Sequence, residues 1–339
     1  MTDTSTSPEP AVRTVSDAEL ERSSAITGAI SVAFQGKVVG QQDLLRGLLV
    51  ALITRGHVLL ESVPGLAKTL SASVLASAVH ADFSRIQCTP DLLPSDIIGT
   101  QVFNPATTQF RTQLGPVHAN FVLLDEVNRS SAKTQSAMLE AMQERQTTIG
   151  GETHRLPVPF MVLATQNPID EEGTYVLPQA QMDRFLLKEV LDYPSPLEEA
   201  EVLARLAAGD LDSPDVASVA SLDDVLFLQS LVSKVHVAES INRYIIEIVN
   251  VTRHPEQFLP TETARYLEYG ASPRGSIAFL QAARAQALLA GRAHVLPEDV
   301  VALRHSVLRH RLMLTFEALA SRVRPEDVID AIFDVVPTP

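Results

Sequence analysis

The chain has 339 residues, enough for two domains of ordinary size, and 45% of them are hydrophobic, as in a globular protein with a real core. Its 27 basic and 41 acidic residues give a net charge of −14, which disfavours generic binding to the phosphate backbone of nucleic acids. Because Cys88 is the only cysteine, no disulfide forms within the chain, and we expect a reducing, cytoplasmic setting.

The N-terminal part is predicted to be a tail, two helices and a strand. Residues 1–20 are rich in Thr, Ser, Pro and Glu, which is typical of disorder, and they show no signal-peptide pattern. Apolar residues recur at helical spacing over 24–34 and 41–54, and an apolar strand covers 57–61. No run in the chain reaches the roughly 18–20 apolar residues that span a bilayer, so no transmembrane segment is expected.

The strand leads into the segment ESVPGLAKTL, residues 61–70, which is similar to a phosphate-binding loop. The usual pattern is G-x-x-x-x-G-K-[ST], and here Ser62 and Ala67 stand in place of its two glycines. Such a loop aims backbone N–H groups and a helix dipole at one anion. Lys68 would add a positive charge there, and the Thr69 hydroxyl could ligate Mg²⁺.

The backbone of this loop sets a condition on its residues. Pro64 and Gly65 would supply the chain reversal, since Pro fixes φ and Gly permits a positive φ. Ala67 is expected to keep a negative φ, because a positive one would strain it. The alternative at this point is an ordinary strand–turn–helix with Lys68 and Thr69 on the surface.

A helix to about residue 81 and a strand over 83–88 follow. Cys88 is expected to be a small buried hydrophobe rather than a reactive thiol. Residues 89–118 contain many turn formers and are predicted to form an elaborated loop or hairpin.

Two later strands end in polar side chains suited to phosphate chemistry. The strand over 120–125 ends in Asp125 and Glu126, and the strand over 160–165 is followed by Asn167. Ligands bind where the carboxyl ends of parallel strands meet. There Asp125 would hold Mg²⁺ through water, Glu126 would polarise the attacking water, and Asn167 would bond the γ-phosphate or that water. The alternatives are a solvated strand end and an ordinary Asn-Pro turn.

Between these strands we predict a helix capped by Ser130 or Ser131, and a hairpin over 147–156 that turns at its two central glycines. A further strand covers 185–190. Strands that alternate with helices predict a parallel α/β sheet.

Beyond residue 194 the pattern becomes helical, and we place a domain boundary near 194–200. The predicted helices cover 198–208, 222–235, 240–253, 274–290, 298–315 and 325–335.

Two arginines are candidates for stabilising phosphoryl charge. Arg184 precedes a strand, and Arg274 lies in the first turn of a helix, where a cation opposes the dipole unless an anion is near. The alternatives are a salt bridge to Asp183 or another acidic residue for Arg184 and plain solvent exposure for Arg274.

Taken in order, these segments resemble the MoxR family of AAA+ ATPases, over nearly the whole chain outside the tail and residues 205–235. The matching segments are VVGQ (38–41), LLESVPGLAKT (59–69), RIQCTPDLLPSDIIGT (85–100), GPVHANFVLLDEVNR (115–129), KTQSAMLEAMQERQTTIGG (133–151), PFMVLATQNPIDEEGTYVLPQAQMDRF (159–185), GASPRGSIAFLQAARAQALLAGR (270–292) and PEDV…VLRHRL (297–312).

The resemblance implies a P-loop α/β core over 21–196, with helices on both faces of a parallel sheet, and an all-helical lid over 197–339. It also implies a helix-2 insert at about 89–118 and a pre-sensor-1 hairpin at about 146–157, both directed toward a ring pore or a partner.

The resemblance further implies the roles of the site residues. The Walker A residues Lys68 and Thr69, the Walker B residues Asp125 and Glu126, sensor 1 Asn167, the arginine finger Arg184 and sensor 2 Arg274 would form the site, with Mg²⁺ at Thr69 and Asp125. The residues expected to bind ATP are Val38, Val39, Gly40, Gln41, Val63, Pro64, Gly65, Leu66, Ala67, Lys68, Thr69 and Leu70.

Members of this family act as chaperone-like ATPases that remodel or mature client proteins. We therefore expect Mg-ATP hydrolysis in a homo-oligomeric ring, a hexamer by family resemblance, with a von Willebrand factor A domain partner and an unknown client. One alternative is a nucleic-acid-translocating ring ATPase, which the net charge of −14 and the few basic residues of the inserts disfavour. Another is a nucleotide-gated scaffold with negligible turnover, motivated by Ser62.

The nine histidines show no zinc-binding spacing. Two of them lie in a basic cluster near the C-terminus, interpreted as a solvated or interface face rather than a nucleic-acid patch. Its members are Arg304, His305, Arg309, His310 and Arg311.

Overall fold

The computed structural model describes residues 14–63, 65–167, 175, 177–211 and 216–339. Its strands are β1 (Val58–Ser62), β2 (Phe83–Gln87), β3 (Gly99–Asn104), β4 (Gln109–Leu114), β5 (Phe121–Asp125), β6 (Gln146–Ile149), β7 (Glu152–Arg155), β8 (Met161–Gln166), β9 (Leu187–Leu191), β10 (Leu267–Tyr269) and β11 (Met313–Leu314).

The helices are α1 (Asp17–Gln35), α2 (Gln42–Ile53), α3 (Lys68–Ala78), α4 (Pro94–Ile98), α5 (Ala132–Glu144), α6 (Gln179–Met182), α7 (Pro196–Ala207), α8 (Leu222–Val232), α9 (Glu239–Arg253), α10 (Pro255–Phe258), α11 (Thr261–Ala264), α12 (Pro273–Leu289), α13 (Pro297–Ala302), α14 (Arg304–Leu308), α15 (Phe316–Ala320) and α16 (Pro325–Val335), with one 3₁₀ turn at Val127–Arg129. None of the helices in the described ranges is long and apolar enough to cross a membrane.

The predicted parallel sheet is confirmed, with five strands in the order β2-β5-β8-β1-β9. Its two faces are covered separately, because successive side chains of a strand point to opposite sides. Val58 and Leu60 of β1 pack in one core with α2 and α3, whereas Leu59 packs in a second core with α5. Burial on both faces explains why the three inner strands β1, β5 and β8 are nearly continuous apolar runs in the sequence.

The first helix begins earlier than expected. The prediction of a disordered tail over 1–20 is wrong for its last residues, since α1 starts at Asp17. The side chain of Ser16 accepts a hydrogen bond from the backbone N–H of Glu19, and the carboxylate of Glu19 accepts one from the backbone N–H of Ser16. This capping box satisfies two N-terminal donors of the helix and fixes its start. Residues 1–13 of the predicted tail lie outside the described residues.

Both predicted insertions contain antiparallel hairpins. Strands β3 and β4 pair over 99–114, and strands β6 and β7 pair over 146–155. Helix α4, which was not predicted, precedes the first hairpin and packs against α5. The helix predicted after Ser130 or Ser131 is α5, and Ser131 is its cap.

The C-terminal third is helical, as predicted, apart from one correction. A single helix was expected over 298–315, but the chain forms α13, α14 and then β11, which pairs antiparallel with β10. Helix α14 packs against β9, and β11 pairs with β10, so tertiary contacts compete there with the local helix propensity. The long helix α12 packs against α1, α2, α8 and α9. The boundary proposed near 194–200 stays a prediction.

Candidate nucleotide site

The loop between β1 and α3 lies at the carboxyl edge of the sheet. Gly65 has a φ of 88°, so it makes the predicted reversal, while Pro64 lies outside the described residues. Helix α3 begins at Lys68, whose ammonium Nζ donates a hydrogen bond to the carbonyl of Ser62 at 3.4 Å. The loop therefore directs the N-terminus of a helix, with a lysine beside it, at the space above the sheet.

The expectation for Ala67 is wrong. Its φ is 53° and its ψ 23°, in the left-handed region, at the N-cap of α3. For a residue with a Cβ this conformation costs about 1–2 kcal/mol. Glycine is the ordinary residue for such a backbone, so the loop keeps the shape of its glycine-bearing pattern although the glycine is absent.

Asp125, the last residue of β5, is buried and paired. One carboxylate oxygen, Oδ1, accepts a hydrogen bond from the hydroxyl of Thr165 at 2.7 Å. The other, Oδ2, accepts from Nη2 of Arg85 at 2.5 Å and from its Nε at 3.2 Å. These hydrogen bonds satisfy both oxygens of a carboxylate that is removed from water.

Glu126 follows in a left-handed conformation with a φ of 58°. Its backbone N–H donates to the hydroxyl of Thr165 at 2.8 Å, so that one hydroxyl bridges two consecutive residues. Its carboxylate accepts a hydrogen bond from Nε2 of Gln87 at 2.9 Å and lies 3.5 Å from a guanidinium nitrogen of Arg129. These contacts hold the carboxylate beside the loop.

The predicted phosphate-binding residues meet in one cavity of about 320 Å³. Its lining residues are Gly65, Leu66, Ala67, Lys68, Thr69, Leu70, Arg85, Gln87, Asp125, Glu126 and Asn167. Arg85 and Gln87 of β2 were missed by sequence reasoning. Both lie on one face of β2, and the pairing of Gln87 with Asp125 puts them beside the acidic pair.

A second cavity, of about 460 Å³, adjoins the first and shares four residues of the loop with it. It is mainly apolar and is lined by Lys37, Val38, Val39, Gln41, Gly65, Leu66, Ala67, Leu70, Pro194, Glu199, Val202, Leu203 and Leu211. Gly40 lies against α7, since a Cβ there would be 2.3 Å from a carboxylate oxygen of Glu198. Val63 packs against the core and is in the lining of neither of these two cavities. Helix α7 as a wall of this cavity was not foreseen.

An apolar cavity joined to a polar, lysine-bearing one matches the base and the phosphates of a nucleotide. Comparison with known proteins agrees. The model of the ATPase family associated with various cellular activities (AAA) matches residues 57–187, and that of the AAA lid domain matches residues 259–332. Chaperone MoxR1 of Mycobacterium tuberculosis is 48% identical over 302 residues, which cover 89% of this chain and 79% of that protein.

The chain belongs to the MoxR family of AAA+ ATPases.

Other relatives agree with this membership. Protein MoxR of Paracoccus denitrificans is 31% identical over 324 residues, which cover 91% of this chain and 94% of that protein. A crystal structure of a candidate ATPase from Cytophaga hutchinsonii superposes with a TM-score of 0.88 at 43% identity, covering 95% of this chain and 98% of the other. The resemblance and the fold class inferred from the sequence are thereby confirmed.

Arg184 and Arg274 of this MoxR-family chain are not in the lining of the first cavity, which contains Lys68 and Glu126. They line a third cavity, of about 510 Å³, between the sheet and the C-terminal helices. Its lining contains five arginines and one carboxylate, that of Asp183. The arginines are Arg55, Arg145, Arg184, Arg274 and Arg311. The salt bridge expected as the alternative for Arg184 is not made within the described residues, because Asp183 pairs with Arg311.

The basic C-terminal cluster is an interface within the molecule. His310 and Arg311 are buried, so the solvated alternative is wrong for them. Three side chains of the cluster contact the segment that enters β9: Arg309 donates to the carbonyl of Lys188, and His310 and Arg311 bond to that of Phe185. The cluster joins the lid to the core.

Cys88 is buried, as expected. Burial, with smaller contributions from the charges of Asp125 and Glu126, raises the pKa of its thiol to about 12. The thiol therefore stays protonated at neutral pH, in agreement with a structural role.

Proposed function

We propose that this MoxR-family protein hydrolyses ATP with Mg²⁺ and uses the energy to remodel or mature other proteins. The observation that carries the proposal is the convergence of Lys68, Thr69, Asp125, Glu126 and Asn167 on one cavity that opens into an apolar one. This set contains the groups that phosphoryl transfer needs: phosphate donors, oxygen ligands for a hard cation, and a carboxylate for water.

The residues present fit a magnesium ion. Thr69 and Asp125 offer oxygen donors in one cavity, which is the donor type Mg²⁺ takes. Because Arg85 already pairs with Asp125, we propose that this carboxylate acts on the metal through water. The bound ion would neutralise charge on the phosphates.

The remaining roles follow from position. Lys68 and the N–H groups at the start of α3 bind the phosphates, and Val38, Val39 and Gln41 border the base. Glu126 accepts the proton of the attacking water, since its carboxylate is held at the cavity by Gln87.

We also propose that the chain works as a homo-oligomeric ring, a hexamer by family resemblance. Arg184 and Arg274 are not in the lining of the cavity that holds Lys68 and Glu126, but they share a basic cavity. A head-to-tail interface would let both act on ATP bound by the neighbour. A neighbour's phosphates would also relieve the conflict between Arg274 and the dipole of α12.

The client is proposed to contact the β3–β4 hairpin. The rings of Phe103 and Phe110 contact each other there in a tilted arrangement, with 5.3 Å between centroids, although the residues are 47% and 67% exposed. Exposed aromatic pairs of this kind mark interaction sites. The proposals of a von Willebrand factor A domain partner and a cytoplasmic location rest on the family resemblance and on the single, reduced cysteine.

Glu126→Gln tests the proposed hydrolysis. The variant should bind ATP within about threefold of the parent but lose at least about 100-fold in kcat, because the amide cannot accept a proton. Glu144→Gln, at an exposed position of α5, is the matched control and should leave both unchanged. Unchanged phosphate release by the Glu126 variant at saturating Mg-ATP would refute the assignment.

A further inference from the structure

Arg311, in the lining of the third cavity, is almost fully buried and donates several hydrogen bonds. Only 2% of its side chain is exposed. Its Nε donates to Oδ1 of Asp183 at 2.9 Å, its Nη2 to the carbonyl of Phe185 at 2.7 Å, and its Nη1 to the carbonyl of Leu186 at 3.1 Å. A lid arginine thus holds the residues on both sides of Arg184.

Arg184 lacks such anchors of its own. Its side chain forms no hydrogen bond or ion pair within the described part of the chain, and its Nε is buried. The direction of its guanidinium therefore depends on the backbone of residues 183–186, which is the backbone that Arg311 holds.

The same network reaches Arg274. The second oxygen of Asp183, Oδ2, accepts a hydrogen bond from the hydroxyl of Ser272 at 2.7 Å. Ser272 caps α12 and accepts from the backbone N–H of Arg274 at 3.1 Å. The carboxylate of Asp183 is thus bonded to Arg311, which holds the backbone next to Arg184, and to Ser272, which holds the backbone of Arg274.

We propose that Arg311, through Asp183, positions Arg184 and Arg274 for the ATP site of the neighbouring subunit. This inference rests on the proposed function, in which the two arginines act across a subunit boundary. Arg311 is a positioning residue: it touches no nucleotide, but it makes the placement of the arginines depend on how the lid is docked.

Burial lowers the pKa of Arg311 but leaves its guanidinium protonated at neutral pH. Desolvation lowers the pKa of its guanidinium to about 10, and the nearby Asp183 opposes that effect. Arg311 therefore remains a cation at neutral pH.

Arg311→Lys and Asp183→Asn test the inference. Lysine keeps the charge but not the planar fork that reaches Asp183 and two carbonyls, and asparagine keeps the shape of residue 183 but not its charge. Each variant should lose about 10- to 100-fold in kcat with the KM for ATP changed less than about threefold, since a displaced arginine weakens the transition state. Arg309→Lys is the matched control, because Arg309 pairs with Glu326 and bonds to Lys188, beyond the Arg184 segment. It should keep the parental kcat.

Rings that mix variant and Glu126→Gln subunits distinguish a displaced arginine from a folding defect in the variant subunit. Each variant is mixed with an approximately tenfold excess of Glu126→Gln subunits, which hydrolyse nothing but carry intact arginines, so that most variant sites gain an intact neighbour. The activity per variant subunit should then recover to the level reached by Arg184→Ala in the same mixture. A folding defect in the variant subunit itself would not recover.

The outcomes distinguish the two proposals. If Arg184→Ala recovers and the Arg311 and Asp183 variants do not, or if Arg311→Lys alone keeps the parental kcat, the positioning role is wrong and the proposed function stands. If Arg184→Ala itself does not recover, the action of Arg184 across a subunit boundary is wrong, and the positioning role is overturned with it. Asp183→Asn keeps the test decisive if Arg311→Lys does not fold.

Discussion

Replacing Glu189 with Gln should remove a pH dependence from the stability of the fold. Glu189 lies in β9 and is buried against α2, where a Cβ on Gly47 would be 2.5 Å from its Oε1. Burial raises the pKa of its carboxyl from 4.5 to about 7, although Ser306, Arg309 and Arg46 oppose the change. Asp43 adds to it.

The sign follows from proton binding. Because the folded pKa is raised, the folded state binds more protons than the unfolded state between pH 4.5 and about 7, and stability falls as pH rises through that window. Below pH 4.5 the carboxyl is protonated in both states, so its burial does not lower the free energy of unfolding through ionisation. Above about pH 7 it is ionised in both states, and the full penalty for burying the charge lowers the free energy of unfolding. At about 1.4 kcal/mol per pKa unit, this penalty is roughly 3 kcal/mol.

Urea unfolding of the parent and of Glu189→Gln from pH 4.5 to 8 measures the effect. From pH 4.5 to 8, the free energy of unfolding of the variant should rise by roughly 3 kcal/mol relative to that of the parent. A constant effect of the amide on stability does not alter this change, because it is the same at every pH. Glu247→Gln, at an exposed position of α9, should give a difference that is constant with pH. A constant difference for Glu189→Gln as well would refute the reasoning.

Two further predictions concern His57 and Ala67. Burial lowers the pKa of His57 to about 4, so the free energy of unfolding decreases as pH falls from 6.5 toward 4. In the same urea assay, His57→Gln should reduce this decrease by up to roughly 3 kcal/mol. Equal acid sensitivity of the variant and the parent would contradict the prediction. Ala67→Gly should raise stability by about 0.5–1 kcal/mol, the left-handed strain less the added freedom of the unfolded chain, as measured by thermal unfolding. Ala72→Gly in the interior of α3 should instead destabilise, and a loss of stability in the Ala67 variant would count against strain at that residue.

The buried strands of the sheet, and the polar residues at their carboxyl ends, could be predicted from the sequence. A strand buried on both faces must be apolar throughout, so 120–125 and 160–165 were visible as runs, and the polar residues that follow them had to lie at one edge. The loop between β1 and α3 was likewise predicted from Lys68 and Thr69, although the φ of Ala67 was mispredicted. The mistake arose because the shape of the loop is imposed by its surroundings rather than by residue preference.

Contacts between distant segments were not readable. Arg85 and Gln87 reach the site only because of the register between β2 and β5. Helix α7 forms a wall of the second, mainly apolar cavity through its packing, which its local amphipathic pattern does not specify.

The sequence alone determines that this chain forms a parallel α/β core and which charged and polar residues follow its strands, because apolar periodicity and the residue types at strand ends are local properties. It does not determine that Arg184 and Arg274 share a basic cavity away from their own loop, or that Arg311 is buried between lid and core. These follow from how the lid docks on the sheet, and docking depends on long-range packing and buried charge pairing that no local pattern encodes.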